Sequence, residues 1–495
     1  MGLKTSLFLM FAFIVLGTFA FFDPLHTKQK EEDLKERESH VFWLKGKSLE
    51  QLKVKSAKSE VELICAKAAG CPFDGTGDWK IISPVKDRAD PASVGALAGA
   101  VMNLLQTEKI PLENGVDPKE FGFEKPSAEL EFRLKGEANA YSLKIGSAKA
   151  VGPNAYVETS ASPNTVFMVA NYFSAATQKD LFHWRNKRLF PEISGDLVNR
   201  LKWSGNKGQK FLVIKIGQEW KLEEPVQAPA NFALLEGLVT SLVYLDMKGV
   251  YSENKNSPEA KQALAALPEW QLSFQTKTGE WQSLTLYNNP KAAKGAKEYV
   301  AVGANDPRLL LVDGLVIERF NKPSIEYRER RLIPEGELAG ATEIVMRFPR
   351  EQKEITLKLE KENWVYASGE KPAEALSRDR VDSFFRILSG VEATSFLNAK
   401  ISSDPAVAFF EKQAPDLEVE FKQGGKPVRK MHFLVHERKE VLTESSVKDE
   451  LAALSGPFLK VLPVRFSDLY ESSNRRVVTT PAKEEEHGEH SHAEH

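Results

Sequence analysis

Residues 79–84 read Trp79-Lys-Ile-Ile-Ser-Pro84, and residues 220–225 read Trp220-Lys-Leu-Glu-Glu-Pro225. A third stretch, Trp364-Val-Tyr-Ala-Ser368, follows at a similar interval without the proline. The tryptophans lie 141 and 144 residues apart. Each reads as a core anchor at a strand end, where an indole can bury a large area. After each comes a cap residue, Asp90, Asn231 or Ser377, and then apolar residues at helical spacing. The first helix carries Val94, Leu97, Val101, Leu104 and Leu105. The second carries Leu235, Leu238, Val239, Leu242 and Leu245, and the third Val381, Phe384, Phe385 and Leu388.

Working outward, the same landmarks recur in order. Asp117-Pro118, Ser257-Pro258 and Asp404-Pro405 are cap-plus-proline starts of a short second helix. Pro126, Pro268 and Pro415 follow, each with an apolar residue four positions on (Leu130, Leu272, Val419) and a phenylalanine six positions on (Phe132, Phe274, Phe421). That alternation predicts a half-buried strand. Further strands are expected at 141–145, 155–158 and 165–169, at 281–287, 298–302 and 308–312, and at 429–435, 440–443 and 458–462. A basic pair closes each unit: Lys187/Arg188, Arg330/Arg331 and Arg475/Arg476. The expected fold is α+β, with three tandem repeats of about 145 residues, each an antiparallel sheet with one long and one or two short helices. The units run over 41–190, 191–333 and 334–478. With no Gly/Ser linker between them, a semi-rigid, elongated array is expected.

Upstream, Thr5 to Phe22 is an uncharged, mostly apolar run behind Lys4. As a helix it would span roughly 27 Å, close to a hydrocarbon core. A signal anchor over 1–22 is favoured over a cleaved leader, because bulky Phe21 and Phe22 follow the weak Thr18-Phe19-Ala20 site. A buried helix is the third reading. Residues 23–40 mix both charge signs and read as a helical stalk. Lys28, Lys30, Lys35 and Arg37 would by a positive-inside count keep the body inside. The terminal place of the segment and the long downstream domain favour instead a single-pass protein of the cytoplasmic membrane, with its body outside the cytoplasm.

Lys+Arg 67 against Asp+Glu 69 gives a net charge of -2, which argues against a nucleic-acid binder. Two cysteines, Cys65 and Cys71, are too few for a disulfide scaffold. In an oxidising compartment they could staple a hairpin loop, and two unpaired thiols are the competing reading. There is no phosphate-binding GxxxxGK[ST] loop, no GxSxG, no HExxH and no EF-hand loop. His26, His40, His183, His432 and His436 are scattered. His432 and His436, four apart on a strand, would stand about 13 Å apart, too far to share a metal. Arg188, Arg331 and Arg476 read as structural ties to a carboxylate of the same unit, with anion or headgroup binding as the alternative. Residues 479–495 form an acidic tail with His487, His490, His492 and His495. It reads as disordered, with weak Zn²⁺, Ni²⁺ or Cu²⁺ binding as its one chemical option.

These landmarks resemble domain-of-unknown-function family 4340. The resemblance rests on Trp79 to Pro84, Phe121-Gly122-Phe123 before Pro126, Ile145-Gly146 and Tyr156-Val157, and in the second copy on Trp220 to Pro225, Pro268 and Tyr299-Val300. It covers nearly all of residues 41–478, and the third copy diverges most. The resemblance implies an N-terminal membrane anchor and an envelope accessory role, often beside gliding-motility-type ABC exporter components. It implies no catalytic residues. The expected function is therefore an extracytoplasmic scaffold or accessory of an envelope complex. An envelope hydrolase with an unrecognised carboxylate site, and metal buffering by the tail, are the alternatives.

Overall fold

A computed structural model describes residues 10, 11, 13, 24–112, 117–148, 150, 152–334, 336–338, 340–372, 374–400 and 404–470. The strands that follow Pro126, Pro268 and Pro415 form as their alternation dictates. Leu130 and Phe132, Leu272 and Phe274, and Val419 and Phe421 are buried. The residues between them face outward. These strands lie at the middle of three antiparallel sheets of nine, nine and eight strands.

The first sheet is built from β1 (Leu49–Ser56), β2 (Glu60–Cys65), β3 (Trp79–Ser83), β4 (Asp87–Arg88) and β5 (Gln106–Pro111). Its remaining strands are β6 (Ala128–Leu134), β7 (Ala140–Ile145), β8 (Asn154–Thr159) and β9 (Thr165–Ala170). Their order is β4-β3-β2-β1-β6-β7-β8-β9-β5. The second sheet comprises β10 (Val198–Gly205), β11 (Lys210–Ile216), β12 (Glu219–Glu224), β13 (Ala228–Pro229) and β14 (Met247–Ser252). It continues with β15 (Trp270–Thr276), β16 (Trp281–Asn288), β17 (Glu298–Gly303) and β18 (Leu309–Asp313). Its order, β13-β12-β11-β10-β15-β16-β17-β18-β14, repeats that of the first strand for strand.

The third sheet uses β19 (Glu343–Phe348), β20 (Lys353–Glu360), β21 (Asn363–Gly369) and β22 (Ser395–Asn398). To these it adds β23 (Leu417–Gln423), β24 (Lys426–His436), β25 (Glu440–Glu444) and β26 (Glu450–Leu454). The order β21-β20-β19-β23-β24-β25-β26-β22 is the same apart from the two-residue edge strand.

Four helices are used below: α1 (Pro24–Ser39), α2 (Pro91–Met102), α3 (Phe232–Val243) and α4 (Arg378–Ser389). Asp90 caps α2 by accepting from the Ser93 N–H, and Asn231 caps α3 through the Leu234 N–H at 3.1 Å. Ser377 holds the cap position of α4, but its hydroxyl makes no cap bond. Val94, Leu97, Ala98 and Val101 of α2 bury in one core with Leu52, Val54, Leu130 and Phe132. In the third sheet Val381, Phe384 and Leu388 do the same with Ile344, Val419 and Phe421.

The chain falls into two compact units. One holds Met1–Glu192, Tyr244–Ala260 and Pro307–Val312; the other holds Ile193–Val243, Lys261–Asp306 and Asp313–His495.

One expectation needs correction. The apolar run 458–462 is no strand: Pro457–Val461 is a helix, with Pro457 at its first turn. The last strand of that sheet is β26, an alanine-rich segment with weak strand propensity. The stretch read as a helical stalk, 23–40, holds the helix α1, whose second half is bonded to the body. Lys45 bonds Asp33 and Glu36, each at 3.4 Å, and Gln106 of β5 donates to the Glu38 carbonyl. Among the described residues no helix is long and apolar enough to cross a membrane. The expected anchor, 1–22, lies outside the described residues except at 10, 11 and 13.

Candidate functional site

Trp79, Trp220 and Trp364 occupy matching strands β3, β12 and β21. Their cross-strand partners are Cys65, Lys215 and Leu359 on the preceding strand of each sheet. Trp79 and Trp220 are buried, while Trp364 is half-buried against Phe385. Their polar ends differ. The Trp220 Nε1 donates to Glu236 Oε1 at 2.6 Å, and Lys215 reaches the same oxygen at 2.5 Å. Burial opposes charge on Glu236, yet the bonds from Lys215 and Trp220 hold its carboxyl below the usual range. The Trp79 Nε1 is buried without a hydrogen-bond partner among the described residues.

A loop explains this difference. Cys65 and Cys71 form a disulfide, with Cα atoms 5.8 Å apart. The bridge folds residues 66–78 down onto α2. In the second and third sheets only Gly217-Gln218 and Lys361-Glu362 link the matching strands. A Cβ on Gly95 would stand 2.2 Å from the Asp74 carbonyl oxygen, and one on Gly75 the same distance from that of Pro91. Gly95 lies five residues past its cap, as Glu236 does in α3 and Asp382 in α4. The stapled loop therefore occupies the place that the Glu236 side chain fills in the second sheet.

Two of the basic pairs meet carboxylates, but across the expected unit boundaries. Arg188 stands 3.9 Å from Asp246 and stacks over Tyr244 at 4.5 Å. Arg330 bonds Glu392 at 2.7 Å. Both carboxylates lie beyond the boundaries at 190 and 333, in the following repeat rather than the same one. Arg476 lies outside the described residues, as do His487, His490, His492 and His495.

Among the described residues, the buried arginines are two that the basic-pair pattern does not include. Arg185 is 1% exposed and forks onto Glu253, at 2.5 and 3.3 Å, with Asp87 at 3.4 Å. Asp87 is also bonded by Arg308. Arg328 forks onto Glu450 at 2.8 and 2.6 Å, with its guanidinium 3.7 Å from the Phe396 ring centroid. Two parallel N–H bonds to one carboxylate give both strength and fixed geometry. Trp184-Arg185 and Tyr327-Arg328 recur 143 residues apart, an aromatic–arginine signal legible in the sequence. In the third copy Leu469 takes the matching backbone place, since its carbonyl accepts from the Ser377 N–H as those of Trp184 and Tyr327 accept from Asp90 and Asn231. Tyr470 then stands where the arginine would be.

Clefts lie along the outer strands. One of about 200 Å³ is lined by Lys144, Glu158, Ser160 and Asn164 of the first sheet. In the third sheet a cleft of about 460 Å³ is lined by Val407, Phe410, Glu411, Glu444 and the 445–451 turn. A smaller one of about 130 Å³ holds Phe410, Gln413, Glu418 and His432. His432 Nδ1 lies 2.5 Å from Glu444 Oε1, and its Nε2 lies 3.8 Å from Glu418. His436 pairs separately with Glu440 at 3.1 Å, so the two histidines serve different carboxylates. Among the described residues no group of three or more His, Cys, Asp or Glu side chains could hold a metal.

A family profile described as "Domain of unknown function (DUF4340)" matches residues 79–219 and again 220–408. No curated protein matches the chain.

Proposed function

We propose a scaffold role from one premise: the chain belongs to the DUF4340 family of domains of unknown function. It is a triplicated α+β module of about 145 residues per copy, tethered by Thr5–Phe22 with its body outside the cytoplasm. It acts as an accessory of an envelope complex of the ABC-export or gliding-motility-like kind. The observation that carries this reading is repetition: one strand order serves three times. Buried arginine forks lead from Arg185 to Glu253 and from Arg328 to Glu450. A module repeated in this way suits docking better than chemistry, which needs one site. The Cys65–Cys71 bridge supports an oxidising compartment.

The test is co-purification after mild detergent extraction. A permease is expected with the full chain, and recovery of the chain alone, with an exporter still intact, would reject the scaffold.

A second reading, an envelope hydrolase, is favoured by one feature. His432 and Glu444 converge beside the third-sheet clefts, where the second sheet has Thr285 and Val302. Metal buffering by His487, His490, His492 and His495 is separable by Zn²⁺ calorimetry on full-length and tail-deleted protein; equal binding by both would dismiss it.

A further inference from the structure

Three residues past Pro126, Pro268 and Pro415 stand Glu129, Gln271 and Glu418. Each faces a residue on the next strand: Lys144, Thr285 and His432. The strand after that brings Glu158 to Lys144 and Val302 to Thr285. In the third sheet it brings Glu444 to His432, whose backbone N–H and Nδ1 both meet that carboxylate. The same rung is thus carboxylate–lysine–carboxylate in the first sheet, uncharged in the second, and carboxylate–histidine–carboxylate in the third. Lys144 holds Glu158 at 2.9 Å, as His432 holds Glu444.

We infer that the third sheet carries a pH-responsive brace: His432 replaces a permanent cation with a titratable one, and its proton clasps β24 to β25 through Glu444, which lines the adjoining cleft. Loss of that proton to solvent leaves Glu444 and Glu418 flanking a neutral ring. The first sheet, braced by lysine, does not respond over the same range. The groups facing His432 are few. β23 supplies Glu418, and β24 itself supplies Lys430, which bonds Glu418 at 3.1 Å. β25 supplies Glu444. Phe410 and Gln413, from the helix Pro405–Lys412 and the residue after it, are uncharged, and Glu411 lines only the larger cleft.

The electrostatics agree. The bond to Glu444 raises the His432 pKa above the ordinary 6.5, against burial. For Glu444 burial works upward, but the His432 bond and backbone N–H groups keep it below the ordinary 4.5. A raised folded-state pKa means that the histidine's contribution is complete below 6.5 and fades as pH climbs through the folded value. The glutamate's contribution is present above 4.5 and fades only as pH falls through its own folded value. The brace is therefore firm near pH 6 and released on the alkaline side.

Amide hydrogen exchange on the full chain tests this, read as protection relative to intrinsic rates. Between about pH 6 and 9, protection over Lys426–His436 and Glu440–Glu444 is expected to fall about tenfold in the wild type. His432→Lys, which copies the first sheet, is expected to stay flat. A flat wild type, or an equal fall in His432→Lys, overturns the inference. A second readout needs no stability change: the His432 imidazole NMR midpoint should drop in Glu444→Gln, and an unchanged midpoint overturns it equally.

Discussion

Gly95 is a glycine because Asp74 leaves no room for anything else. Its helix, α2, begins with a cap and proline readable in the sequence. The need for a bare backbone at its fifth residue is hidden, because it comes from Asp74 in a loop 21 residues upstream. Gly95→Ala is expected to cost about 2 kcal/mol by overpacking, since the obstructing atom is a backbone carbonyl. The test is denaturant unfolding, and an unchanged midpoint would contradict the contact. The disulfide is a separate contribution. Replacing Cys65 and Cys71 by serine should lower stability by about 2 kcal/mol in the chain-entropy model. Because the same loop lies on α2, the two changes are expected to be less than additive, which a double-mutant cycle would read.

At the scale of elements, the strands with alternating apolar residues and the capped helices were legible. Local pattern suffices where one face is buried. What sequence could not give were pairings over long separations. Arg185 finds Glu253 68 residues away, and Arg328 finds Glu450 122 residues away. The aromatic residue before each, Trp184 or Tyr327, marks these arginines, but nothing local names their partners. The helix Pro457–Val461 reads as a strand because so short an apolar run fits either period, and only the Gly456-Pro457 start points to a helix. The two forks differ in expected weight. The Arg328 and Glu450 side chains are 8% and 11% exposed, so Arg328→Met strands a buried carboxylate and should cost about 3–5 kcal/mol. Glu253 is 49% exposed and the buried Asp87 keeps its bond to Arg308, so Arg185→Met should cost less. Adding Glu450→Gln to Arg328→Met should recover part of the loss. If the double variant is no more stable than Arg328→Met alone, the fork is not the origin of the effect.

For the whole molecule, the three sheets are variations on one plan, and the variations carry the interest. The first has a stapled loop, the second a half-buried Lys215–Glu236–Trp220 cluster, the third a histidine rung flanked by two clefts. On the proposed scaffold role, repeats that diverge this way can present one shared surface and one private feature per copy. Deleting the third sheet's feature by Phe410→Asp, which places a charge between its two clefts, should leave the secondary structure measured by circular dichroism unchanged. If that sheet is the docking face, permease recovery falls; if another copy is, recovery is unaffected.

The Arg328 fork also bears on how this protein can be dissected. Cutting the chain at the obvious seam, after Ile333, parts the guanidinium from both Glu450 and the Phe396 ring and uncovers on each fragment a surface that the intact chain closes. Expressed halves should therefore be poorer specimens than the intact polypeptide, and mixing them should restore thermal resistance to both. Fragments that melt like the parent, with or without each other, would show that the seam is cosmetic.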